Sequence, residues 1–66
     1  MPGPTRYHRA IAPAAYAHYV RGRIASYNRD FVTAIREFQL ARRAAPDEPE
    51  LRTALFEAIL LHLSAP

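Results

Sequence analysis

Cysteine, lysine and tryptophan are missing from these 66 residues, and glycine occurs only twice. Without cysteine there can be neither a disulfide framework nor a thiolate metal site. No apolar run approaches the roughly 20 residues a bilayer-spanning helix needs. The opening Met-Pro-Gly-Pro resembles neither a secretory signal nor an amphipathic transit helix, so the cytoplasm is the expected location. With lysine absent, all nine basic residues are arginine, and the accompanying wealth of alanine and proline is the composition of a GC-rich, bacterial genome. A chain of this length has room for one domain and buries only about 60% of its unfolded surface, which makes its stability as a monomer marginal.

The constellations that carry chemistry are also lacking. His8, His18 and His62 are far apart, none with a carboxylate or second histidine at metal-ligand spacing on its own helix. Ser26 and Ser64 stand in no catalytic motif, and no glycine-rich loop precedes a helix to cradle phosphate. The carboxylates of "DEPE" at 47–50 are explained by the preference of acids for a helix N-terminus. The expectation is a protein with no catalytic activity, no cofactor and no metal.

What is present is helical periodicity and a polarised charge. The net charge is +3, but residues 1–29 carry Arg6, Arg9, Arg21, Arg23 and Arg29 with no acid. Residues 46–66 carry Asp47, Glu48, Glu50 and Glu57 against Arg52 alone. Residues 1–12, with two prolines, a glycine and no apolar period, read as a flexible basic arm, and residues 13–66 as a single helical domain. Pro13 suits the first turn of a helix running to about Asn28. Asp30 suits the N-cap of a second, Phe31 to about Ala45, in which Phe31, Ala34, Ile35, Phe38, Ala41 and Ala45 share one stripe. Pro46 closes that helix. Asp47 with Glu50 three residues on has the spacing of a capping box for a third helix to about Leu63, where Glu48 and Arg52 make an (i, i+4) pair.

The stretch Ala15–Glu48 is 34 residues of helix, turn, helix and closing proline, and it resembles one tetratricopeptide repeat. Gly22, Asp30-Phe31, Ala34, Ile35, Phe38, Ala41 and Pro46 carry the resemblance, and residues 49–63 look like the extra helix that covers the open end of such an array. His18, Arg21 and Ala25 depart from it, standing where the family favours tryptophan, leucine and tyrosine. The bulk of helix one lies instead on Tyr16, Val20, Ile24 and Tyr27, so the face that meets helix two is left open. The fold class is all-α, an antiparallel helical hairpin of tetratricopeptide type plus a third helix.

The resemblance implies a groove on the inner face of helix one, lined by Tyr16, Tyr19, Arg23, Ser26 and Tyr27. Tyrosine and arginine are the side chains that dominate interface hot spots. A competing reading makes Tyr16 and Tyr27 core residues with only their hydroxyls at the rim. Helix three has two apolar faces: Leu51, Ala54, Leu55, Ala58 and His62 on one, Phe56, Leu60 and Leu63 on the other, bridged by Ile59. A helix apolar over most of its circumference expects neighbours on both sides. The second face is expected to meet another protein chain, unless the arm covers it through Tyr7 and Ile11. The expected partner is a larger protein or an acidic or C-terminal peptide, with a homo-oligomer as the other possibility. Nucleic-acid binding by the basic arm and the tyrosines is the rival function, opposed by the modest net charge and the acidic third helix.

Overall fold

The computed structural model describes residues 11–65, so the expected basic arm lies almost wholly outside the described residues. Those residues form three helices, α1 (Pro13–Tyr27), α2 (Phe31–Ala44) and α3 (Pro49–Ser64), and no strand. Helix α2 is central: α1 packs on it as a hairpin, and α3 packs on it as well.

Pro13 opens α1, where a missing N–H costs nothing. The helix ends in a Schellman motif: the Asp30 N–H donates to the Ala25 carbonyl at 2.8 Å and the Arg29 N–H to that of Ser26 at 3.0 Å. That geometry requires a left-handed residue at position 29, and Arg29 adopts it with φ 63°. The next residue begins α2, with an Asp30 carboxylate oxygen accepting from the Thr33 N–H at 3.2 Å. Hydrogen bonds from Thr33, hydroxyl first and backbone second, and the Arg36 charge hold the Asp30 carboxyl below its ordinary pKa. Arg42 and Arg43 occupy the last turn of α2, where cations oppose the negative end of the helix dipole.

The capping box expected at Asp47 and Glu50 does not form. Pro49 starts α3, so Glu48 stands at the N-cap without a side-chain cap, and Leu51 occupies the position from which Glu50 was to reach back. Glu50 sits in the first turn and interacts with the dipole alone. The Glu48–Arg52 pair is not formed, and Arg52 pairs with no described residue.

Two core clusters hold the helices. Ala25, Ala34 and Phe38 meet Leu55 and Ala58 in one; Ala15, Ala41 and Leu51 make the other. Tyr19 packs against both, with its ring centroid 5.9 Å from that of Phe38. Helix α1 thus turns its small residues to α2. Ala15, Gly22 and Ala25 are buried, while Tyr16, Ile24 and Tyr27 are more than half exposed. This settles the question left by the bulky stripe and overturns the core reading of Tyr16 and Tyr27. The reason is steric. A methyl group added at Gly22 would overlap the Phe38 ring, so the close approach needs a residue without one. Gly22 thus meets the second helix at Phe38, one turn from Ala34.

His18 adds a polar tie between the same helices. Its Nδ1 lies 2.8 Å from the Glu37 carboxylate, and Arg21 approaches the same oxygen at 3.8 Å. When Nδ1 carries the proton it donates to Glu37 and cannot also accept from Arg21, which stands 3.3 Å away. Arg21 is then held by Glu37.

Candidate partner-binding surfaces

Between α1 and α3 runs an open groove of about 510 Å³. Its α1 wall is Tyr19, Arg23, Ser26 and Tyr27; its α3 wall is Pro49, Glu50, Thr53, Ala54 and Glu57. Four of the five groove residues expected from the sequence come together here. Tyr16 does not: it is 57% exposed and lies outside the groove.

The α1 wall is organised around Arg23. Tyr19 precedes it by four residues and Tyr27 follows it by four, so all three stack on one face of the helix. The guanidinium donates through Nη1 to the Tyr19 hydroxyl and through Nη2 to the Tyr27 hydroxyl, both at 2.7 Å. Its carbon also lies 5.7 and 5.4 Å from the two ring centroids, within cation–π range. The bonds to Tyr27 and Tyr19 raise the Arg23 pKa above its ordinary value. A guanidinium has five N–H donors, and those not given to the tyrosines remain available. The cation is held in place by its neighbours and is still exposed to a ligand.

The α3 wall carries the opposite charge. Glu50, Thr53 and Glu57 form the polar strip of α3, and their place along the groove was missed by sequence reasoning. The available signal was their helical phase, which differs from that of the buried Leu51, Leu55 and Ala58. Among the described residues, neither carboxylate pairs with Arg23.

The second surface lies on α3. Phe56, Leu60 and Leu63 are 55%, 63% and 74% exposed, and Leu61, which the sequence reading did not single out, is 46% exposed. Leu60 and Leu61 with Glu57 outline a shallow depression that adjoins the groove, since Glu57 lines both. Ile11 packs elsewhere, against the cluster of Ala15, Ala41 and Leu51; Tyr7, its supposed companion, lies outside the described residues. His62, expected on the inward face, is exposed.

Among the described residues no group of three or more histidine, aspartate or glutamate side chains is placed to hold a metal ion. No described helix is long and apolar enough to cross a membrane. No family model matches the chain, and comparison with curated proteins and with solved structures finds no match.

Proposed function

We propose that this chain is a cytoplasmic protein–protein interaction module of tetratricopeptide type, which binds a partner peptide in the α1–α3 groove and performs no chemistry. The observation that carries the reading is the Tyr19–Arg23–Tyr27 arrangement, a cation held between one half-buried and one exposed aromatic ring in an open groove. A guanidinium with free donors matches a carboxylate in both shape and charge. The tyrosines offer contact area at small entropic cost. The tetratricopeptide assignment is supported by Gly22 against Phe38 and by the burial of Ala34, Phe38 and Ala41 at the positions that carry the resemblance.

The ligand is an acidic or C-terminal peptide of a partner protein. Glu50 and Glu57 on the facing wall disfavour a run of acids and favour a peptide with one carboxylate. They disfavour a phosphodiester backbone for the same reason. Arg23→Glu reverses the cation without touching the core and should weaken peptide binding about tenfold or more, equivalent to about 1.4 kcal/mol. An array of peptides with free or amidated C-termini, probed with both proteins, provides the measurement. Equal binding by the variant would remove the groove from consideration.

A further inference from the structure

We infer that the free face of α3 zips, in parallel and across a two-fold axis, against α3 of a second copy of this chain. The inference names a partner within the interaction-module reading and rests on it. Leu51, Leu55 and Ala58, buried against α2, define the inward side of α3. Phe56, Leu60 and Leu63 lie on the other side, at spacings of four and three residues. That is the d, a, d sequence of a heptad seam, with Thr53 at the preceding a position. In the same register Leu51 and Ala58 fall at f, the position farthest from the seam. One helix therefore offers a packed side and a zipper side, back to back.

Charge identifies the occupant. In this register Arg52 is a g residue and Glu57 the e residue five positions on, both exposed and both without an ion pair among the described residues. Parallel two-stranded packing brings g of one helix to e of the other in the following heptad. Arg52 of each copy then meets Glu57 of the other, and the two-fold axis makes the pair twice. In an antiparallel arrangement e faces e and g faces g, which sets acid toward acid and loses both pairs. The apolar seam itself carries no charge, so a symmetric contact of like with like has nothing to repel.

Size agrees with this assignment. The exposed fractions of Phe56, Leu60 and Leu63 amount to a patch of a few hundred Å². Facing it with its own copy doubles the area, and with the Arg52–Glu57 rim the total stays below roughly 1,200 Å², the range of weak, transient contacts. A reversible dimer is expected rather than a permanent one.

The test uses the full chain. Sedimentation equilibrium from low micromolar to millimolar concentration should show a monomer–dimer equilibrium, and Leu60→Glu should weaken it at least tenfold with helicity unchanged, because Leu60 is outside the core. Arg52→Glu and Glu57→Arg should each weaken it alone, and mixing the two variants should restore association as a heterodimer. Since the chain has no cysteine, Leu63→Cys should form a disulfide-linked dimer on mild oxidation, as in-register packing sets the two positions together. A monomer at every concentration, or a dimer indifferent to Leu60→Glu, would overturn the inference. So would a dimer in which Leu63→Cys fails to cross-link, or a monomer whose α3 face is held by a protein of different sequence. A monomer that keeps Arg23-dependent peptide binding would sink the zipper and leave the groove reading intact. A dimer without peptide binding would do the reverse.

Discussion

Gly22 and Phe38 determine how closely α1 and α2 can approach, and the pair shows why one missing methyl group matters in so small a core. Glycine inside a helix is unfavourable by about 1 kcal/mol relative to alanine, so Gly22→Ala would stabilise α1 if the helix stood alone. Here the added Cβ overlaps the Phe38 ring, which is itself nearly fully buried and has little room to move. Overpacking of this kind typically costs about 1–3 kcal/mol, enough to cancel or outweigh the gain in propensity. Gly22→Leu, too large for any local adjustment, should lower the melting temperature by roughly 4–8 °C per kcal/mol lost. Phe38→Leu introduced beside Gly22→Ala should recover part of the loss, because it removes the ring atoms that the methyl group meets. Thermal circular dichroism of the three variants decides the matter: a melting temperature for Gly22→Leu equal to or above that of the parent would mean that the seam is not closely packed.

At the scale of elements, the junction of α1 and α2 is a single unit built from consecutive residues. Arg29 supplies the left-handed turn that closes α1, and Asp30 caps α2. A left-handed conformation costs a non-glycine residue roughly 1–2 kcal/mol, and the Arg29 side chain forms no described contact that offsets it. Arg29→Gly should therefore raise the melting temperature, by less than the full strain because glycine also gains freedom in the unfolded chain. Arg29→Val, β-branched and hard to place at positive φ, should lower it. If both variants melted with the parent, the turn would have to be formed differently. Much of this layer could be read from the sequence: the stripe of α2, the Asp30 cap and the helix-ending Pro46 are local signals. The inward face of α1 was legible only at Gly22, where a glycine inside a helix marks a close approach; periodicity finds bulk, and the rest of the contact is made by smallness at Ala15 and Ala25. The start of α3 was misjudged for a related reason, as Pro49 takes the first helical position and displaces the cap from Asp47 to Glu48. The groove was half legible. Tyr19, Arg23 and Tyr27 fall on one helical face by spacing alone, but the Glu50 and Glu57 wall depends on where α3 lies across from α1.

The three helices should fold as one unit, because neither core cluster is complete without α3. Leu51 is the only leucine in one cluster and is fully buried; Leu55 and Ala58 close the other over Phe38. Burying a leucine contributes on the order of 1.5–3 kcal/mol, so the two leucines together supply an amount comparable with the lower end of the 5–15 kcal/mol that stabilises an ordinary domain. What would remain in the α1–α2 hairpin is rich in alanine, with Tyr19, Phe31, Ile35 and Phe38 as its bulky residues and the α3-facing side of Phe38 open to water. Isolated helices of 14 or 15 residues, the lengths of α1 and α2, are themselves marginal in water. A chain ending at Pro46 should consequently lose most of its helical signal and show no sharp thermal transition, while the full chain melts cooperatively. Adding residues 47–66 back as a separate peptide should restore part of the helicity, since Leu51, Leu55 and Ala58 reach α2 from a segment joined to it only by a short turn. A truncated chain that melted as sharply as the parent, and at the same temperature, would show that the hairpin is self-sufficient and that α3 is held by the domain without holding it together.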